Sequence, residues 1–238
     1  MPPTAIDSPR TTARLAGLLW LIVIAVSIVA VVINPALNLQ GSPADTAATL
    51  LAAETPFRLA FAALFVGSVC YLGVTALLYE LLRPVSKRVA LFGAFAGLIG
   101  LAVGAATSVN ELVALELLEK AARSAPARVN ELQAIAQSSL YAGPEFSISM
   151  VYFGLHVASI GFLILRSNFL PRIIGGVLIA GGSSYVVASF TTFVAPGVGA
   201  LLSPLVIPIA ILGEGSLTLW LLIKGVNVEK WRLQAAQA

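Results

Sequence analysis

The sequence has 238 residues, of which 58% are hydrophobic and 11% charged, and its mean hydropathy is +0.95. A soluble domain carries roughly 25% charged residues, so this chain is predicted to be a polytopic membrane protein. The net charge of +3 without a long basic run argues against a nucleic-acid partner, and one cysteine and one histidine argue against an internal disulfide, a metal site or a haem. We therefore expect no cofactor.

The first apolar segment follows two arginines, Arg10 and Arg14, and covers about 19 residues, Leu15–Ile33. The apolar core of a signal peptide is shorter, roughly 7–15 residues, and ends at a small-residue cleavage site. Here Asn34 and Pro35 follow instead. We interpret the segment as a retained first transmembrane helix.

Six segments are long enough to span a membrane, which takes about 20 mainly apolar residues. No long soluble domain separates them, so the sequence predicts one membrane domain over residues 1–238, an all-α bundle of six transmembrane helices. The predicted spans are residues 13–33, 58–82, 89–112, 146–165, 173–194 and 201–223.

Basic residues predict the orientation of the bundle. If six helices alternate, ten of the 14 lysines and arginines fall on one side and four on the other. The excess of basic residues normally lies in the cytoplasm. Both termini are therefore expected to be cytoplasmic.

Two loops on the predicted outer side have helical patterns. In GSPADTAATLLAAE, Ser42 is positioned to cap a helix and Asp45 favours the positive end of its dipole. The second loop, APARVNELQAIAQSSLYAGP, predicts an amphipathic segment on the membrane surface, with a plain connecting loop as the alternative. Its apolar residues at helical spacing are Val129, Leu132, Ile135 and Ala136.

Glycines recur in the third and fifth spans, where small residues let a neighbouring backbone approach closely. We interpret them first as packing positions, and a contact between two copies of the chain is the alternative. They are Gly93, Gly97, Gly100 and Gly104 in the third span and Gly175, Gly176, Gly181 and Gly182 in the fifth.

Polar residues reach the middle of four spans. Glu214 lies halfway along the sixth span, where a charge costs about 2.5–3.5 kcal/mol on insertion scales. His156 lies halfway along the fourth span, Tyr71 along the second, and Ser184 and Tyr185 along the fifth. Since lipid cannot hydrogen-bond these groups, the simplest arrangement is an internal cavity.

The fourth span carries a polar stripe at offsets of four, three, four and three residues, which places its members on one helix face. This face is expected to point inward, with Phe153 and Val157 more peripheral. The stripe consists of Glu145, Ser149, Tyr152, His156 and Ser159.

These patterns define the candidate site. Glu214, His156 and Glu145 are candidate acid or base groups, and a direct pair between Glu214 and His156 is one hypothesis. Each also has a structural interpretation: a carboxyl or imidazole that bonds the backbone, or a carboxylate at the water interface. The candidate ligand-binding residues are Tyr152, Ser149, Asn110, Glu111, Tyr71, Ser184 and Tyr185.

Three stretches, TARLAGLLWLIVIAVSI, RSNFLPRIIGGVLIAGG and GEGSLTLWLLIKGVN, resemble a bacterial membrane family labelled domain of unknown function 4386. The resemblance implies a compact six-helix protein of the bacterial inner membrane and supplies no activity. Glu145 departs from the family pattern. The positions that match it are Arg58, Arg166, Pro171, Arg172, Glu214, Trp220 and Lys224.

Three classes of function remain open. The first is binding or processing of an apolar small molecule or lipid in an intramembrane pocket open to the outer side. The second is a proton-coupled transporter or its accessory subunit, although no inverted repeat is evident. The third is a structural membrane protein without a ligand. Membrane lipids are expected partners in every case, and whether any catalysis occurs is left open.

Overall fold

The computed structural model describes residues 8–38, 41–140 and 143–237, and within these ranges the chain is helical and contains no strand. Six of the helices are long and apolar enough to cross a membrane. The predicted all-α architecture with six membrane-spanning helices is therefore confirmed.

Nine α-helices follow one another in the described ranges, and a short 3₁₀ turn, Pro35–Asn38, follows the first of them. The helices are α1 Pro9–Ile33, α2 Pro43–Ala52, α3 Glu54–Leu82, α4 Lys87–Ala122, α5 Pro126–Leu140, α6 Gly143–Arg166, α7 Arg172–Val194, α8 Pro196–Ile223 and α9 Val228–Ala235. The six that could span a membrane are α1, α3, α4, α6, α7 and α8.

The described chain divides into two compact units. Unit 1 is drawn from Met1–Ile22, Val69–Leu101 and Ser147–Ala238, and unit 2 from Val23–Ser68 and Ala102–Phe146. Helices α1, α3, α4 and α6 each contribute a segment to both units. The prediction of a single membrane domain stays a prediction.

In unit 2, helix α2 begins with the predicted cap. The N–H of Asp45 donates to the Ser42 hydroxyl over 3.3 Å, and the N–H of Ser42 donates to the Asp45 carboxylate over 2.9 Å. Together these bonds form a capping box. The Ser42 hydroxyl also donates to that carboxylate over 2.7 Å, which lowers the pKa of Asp45 below its ordinary value.

The second outer segment of unit 2 is also helical, as predicted, and the residues of its predicted apolar face are buried to different extents. Ala136 of α5 is buried in an apolar cluster with Leu50, Phe57 and Leu115. Ile135 is 46% exposed, because the helix turns it away from that cluster. The predicted position of α5 on the membrane surface stays a prediction.

In unit 1, glycines bring helix backbones into direct contact. Gly154 of α6 faces Gly182 of α7, and Gly161 faces Gly175, so closely that an added Cβ would lie 2.5–2.7 Å from the opposing carbonyl oxygen. Between α4 and α6, glycines of α4 instead make room for side chains of α6: Gly93 for Ser159, Gly97 for His156 and Gly100 for Phe153. The interpretation as packing positions is confirmed at Gly93, Gly97, Gly100, Gly175, Gly181 and Gly182, but not at Gly176, which has no atom within 4 Å of an added Cβ. At Gly104 it stays a prediction.

Helix α9, which the sequence patterns did not predict, is hydrogen-bonded to neighbouring elements of unit 1. The indole N–H of Trp231 donates to the carbonyl of Leu81, at the end of α3, over 2.8 Å. The Gln234 amide donates to the carbonyl of Arg166 over 3.3 Å and accepts from the N–H of Asn168 over 3.1 Å. These bonds satisfy carbonyl groups that the ends of α3 and α6 would otherwise leave free.

The cytoplasmic location of both termini is a testable prediction. In a background in which Cys70 is replaced by serine, a cysteine placed at position 3 or at position 236 should resist an impermeant thiol reagent in intact cells. The matched control is Ala127→Cys at the start of α5, which should be labelled. Labelling of either terminal cysteine would reject the predicted topology.

Candidate functional site

His156 of α6 is almost completely buried and is held by α4. Its side chain is 2% exposed. Its Nδ1 lies 2.7 Å from the carbonyl oxygen of Gly93. A Cβ on Gly97 would lie 2.9 Å from Nδ1, so the ring occupies space that only a glycine leaves open. Because a carbonyl oxygen only accepts, Nδ1 carries the proton in this bond and donates it.

A small cavity lies beside His156 between α3, α4 and α6. The Nε2 of His156 and the Oγ1 of Thr75 both belong to residues that line it, and neither atom has a hydrogen-bond partner in the described part of the chain. The cavity leaves about 10 Å³ for the centre of a water molecule, near the minimum that one water needs. The apolar side chains that line it are Leu78, Leu82, Ile160 and Leu163.

The polar stripe of α6 faces inward, as predicted. The Ser149 hydroxyl donates to the carbonyl of Gly100 on α4 over 2.8 Å, and Ser159 is buried and donates to its own helix at Leu155 over 2.7 Å. Tyr152 is half-buried. The side chain of Glu145 lies outside the described residues.

The expectation that Val157 would be peripheral is wrong, since Val157 is 1% exposed. It follows Gly154 by three residues and precedes Gly161 by four, so it lies on the α6 face that packs on α7. Phe153 is half-buried, and its ring centroid lies 5.2 Å from that of Tyr71. Helix α6 is thus buried on two faces, whereas the polar stripe marks only one.

A second cluster in unit 1 surrounds Glu214 of α8. The Tyr185 hydroxyl of α7 donates to the Glu214 carboxyl group over 3.0 Å, and both side chains are half-buried. Trp20 of α1 is fully buried and lies close to the Glu214 carboxyl group, but its indole N–H does not reach hydrogen-bond geometry with any described residue. Tyr71 meets Trp20 edge to face, with 6.1 Å between ring centroids.

The direct pair between Glu214 and His156, one of the alternatives that the sequence left open, is not formed. His156 bonds Gly93, whereas Glu214 bonds Tyr185. Tyr71 lies beside the imidazole, with 5.6 Å between the ring centroids, and also interacts electrostatically with Glu214. Unit 1 therefore brings His156, Tyr71, Tyr185 and Glu214 into one region through separate attachments.

Three other candidate residues either bond their own helix or belong to the other unit. The Ser184 hydroxyl donates to the carbonyl of Gly181 in α7 over 2.7 Å. Asn110 and Glu111 are half-buried residues of the α4 segment that belongs to unit 2. Within the ranges that the structure describes, no group of three or more metal-ligating side chains comes together.

Sequence reasoning missed Trp20 and Thr75. A tryptophan in a span normally marks a membrane interface, and Trp20 instead lies within the first predicted span and is fully buried. A threonine in a transmembrane helix usually bonds the carbonyl one turn earlier, so nothing in the sequence separates Thr75 from that common case. Only the structure shows that its hydroxyl has no such partner among the described residues.

A comparison with known protein families covers both the cavity beside His156 and the Glu214 cluster. The model of the family described as "Domain of unknown function (DUF4386)" matches residues 15–225. The chain belongs to this family. No curated protein and no solved structure matches it. The DUF4386 match includes the cavity and the Glu214 cluster but brings no activity with it.

Proposed function

We propose that the protein binds a small amphiphilic molecule inside unit 1, at the cavity beside His156. The observation that carries this proposal is that two residues lining one cavity, His156 and Thr75, each have a buried polar atom, Nε2 and Oγ1, without a partner in the described part of the chain. Leaving a buried polar group unsatisfied costs about 1–3 kcal/mol. A bound molecule that bonds both atoms removes that cost.

The composition of the cavity wall favours a mostly apolar ligand. Apart from a few polar atoms the lining is made of leucine, isoleucine, alanine and glycine, the combination typical of small-molecule sites. The space admits only the polar head of a ligand. Tyr79 and Ala94, which line the cavity, are half-buried, so an apolar tail can continue past them between α3 and α4.

The proposed opening differs from the one expected from the sequence. The cavity extends from His156 towards Leu82 and Ala90, which flank the turn between α3 and α4. Basic residues place this turn on the predicted cytoplasmic side. The proposed site therefore opens towards the cytoplasmic half of the bundle rather than towards the outer side.

The proposal predicts a ligand that copurifies with the protein. After extraction in mild detergent, mass spectrometry of bound small molecules should find a species that is enriched in wild type and lost in both His156→Phe and Thr75→Val. The matched control is Ser184→Ala, because in the described part of the chain the Ser184 hydroxyl bonds its own helix at Gly181, and this variant should retain the species. Identical profiles for wild type, His156→Phe and Thr75→Val would overturn the proposal.

A further inference from the structure

The geometry points to a ligand that presents a hydroxyl group to His156, which makes it an alcohol or a phenol with an apolar body. This inference rests on the proposed function and adds the chemical class of the ligand. It follows from the hydrogen-bond donors and acceptors of the residues at the cavity that have no partner in the described part of the chain.

The carbonyl group of Gly93 determines that Nδ1 of His156 acts as a donor. Its carbonyl oxygen lies 2.7 Å from Nδ1 and can only accept, so Nδ1 is the protonated nitrogen. In a neutral imidazole the other nitrogen, Nε2, then carries a lone pair and only accepts. A molecule that satisfies Nε2 must therefore donate a hydrogen bond to it.

The imidazole is neutral because its surroundings offer nothing to balance a charge. The ring is 2% exposed, and no ion pair in the described part of the chain includes it. The neighbouring aromatic ring is Tyr71, and the Glu214 carboxyl group is bonded to Tyr185. Burial of an unpaired charge costs far more than burial of a neutral ring.

Thr75 restricts the ligand further. Its side chain is 3% exposed, and its hydroxyl can both donate and accept. A ligand hydroxyl can donate to Nε2 of His156 and accept from the Thr75 hydroxyl through the same oxygen. A carbonyl group could accept from Thr75 but would turn its lone pairs towards the lone pair of Nε2.

The size and polarity of the cavity exclude larger or charged heads. The cavity leaves about 10 Å³ for the centre of a water-sized group. This is enough for one oxygen atom. An ammonium group could donate to Nε2, but it would bring a charge against Leu78, Leu82 and Ile160 without a carboxylate partner. A hydroxyl group is small enough for the cavity and carries no charge.

The sole histidine of the chain makes a direct test possible. Nitrogen NMR of protein labelled isotopically at histidine, in lipid nanodiscs, reports the two ring nitrogens of His156 alone. The spectrum should first show a protonated Nδ1 and a bare Nε2. Addition of dodecanol should then shift the Nε2 signal upfield in a saturable way and leave the Nδ1 signal nearly unchanged. In Thr75→Val the affinity for dodecanol should fall by about fivefold, the loss of one hydrogen bond.

Two matched compounds separate this inference from the proposed function. Dodecyl methyl ether and methyl undecyl ketone have similar apolar bodies but cannot donate, so neither should shift Nε2 upfield or displace dodecanol efficiently. If both compete as well as dodecanol, the hydroxyl requirement is wrong while an amphiphile site stands. If none of the three changes the signals and Nε2 is already hydrogen-bonded, the cavity holds only water and both proposals fail. A protonated Nε2 with a bare Nδ1 would also overturn the inference.

Discussion

Replacement of Gly182 by valine should leave little or no folded protein after extraction, and Gly182→Ala should already lower the melting temperature strongly. An added Cβ at this position would lie 2.5 Å from the carbonyl oxygen of Gly154 and 2.6 Å from the backbone nitrogen of Ala158. Both are backbone atoms of α6, which cannot rotate away as a side chain can. Helices α6 and α7 would have to separate.

The expected size of the effect follows from the cost of overpacking. Extra methylene groups in a well-packed core cost about 1–3 kcal/mol, and the valine adds more than one of them. Separation of α6 and α7 also disturbs the second contact of the same kind, between Gly161 and Gly175. His156 follows Gly154 by two residues, so the same displacement should weaken its bond to Gly93 and lower ligand binding.

The control for this prediction lies on the same helix. Gly176 has no atom within 4 Å of an added Cβ, so Gly176→Ala should leave the melting temperature unchanged or raise it slightly, because alanine is the better helix former. Thermal unfolding of both variants in the same detergent provides the measurement. Equal melting temperatures for Gly182→Ala and Gly176→Ala would contradict the packing that the structure shows.

The six spans could be predicted because a backbone in lipid must satisfy its own hydrogen bonds, which leaves long apolar helices as the common solution. The ends of the helices are harder to predict. Helix α4 continues to Ala122, ten residues beyond its predicted end at residue 112, since a charged segment that leaves the apolar region can remain helical. Its last turns instead pack Leu115 and Leu118 into the core of unit 2.

The candidate site could be predicted only in part, because a sequence gives the depth of a residue in a span more readily than its neighbour. His156, Glu214, Tyr71 and Tyr185 do lie in one unit. Equal depth made a direct contact between His156 and Glu214 one of the alternatives, but the rotation of each helix decides its partner. The carbonyl that His156 bonds belongs to Gly93, and a backbone acceptor leaves no signal in a side-chain pattern.

The separate attachments of Glu214 and His156 predict how stability responds to substitution. Tyr185 donates to Glu214 over 3.0 Å, and a glutamine at position 214 can still accept that bond through its amide oxygen. Glu214→Gln should therefore be nearly silent, whereas Glu214→Met should destabilise the protein by about 1–3 kcal/mol, because the Tyr185 hydroxyl is left without its acceptor.

A double-mutant cycle should isolate the bond itself. Tyr185→Phe should also destabilise the protein, and Glu214→Met with Tyr185→Phe should cost less than the sum of the single changes by about 1 kcal/mol, since removal of both partners leaves neither unsatisfied. The measurement is the free energy of unfolding in detergent. Strict additivity of these two changes would show that the Tyr185–Glu214 bond is absent in solution.

A second cycle, between Glu214→Met and His156→Phe, distinguishes the observed arrangement from a direct acid–imidazole pair. Because His156 is held by the Gly93 carbonyl and Glu214 by the Tyr185 hydroxyl, the two effects should add within about 0.5 kcal/mol. In a direct pair, removal of one member would instead leave the other without its partner. The double substitution would then cost less than the sum of the two single substitutions, by well over about 0.5 kcal/mol. Coupling of that size would mean that the carboxyl group and the imidazole touch, and Nε2 of His156 would then have an internal partner and no need of a ligand.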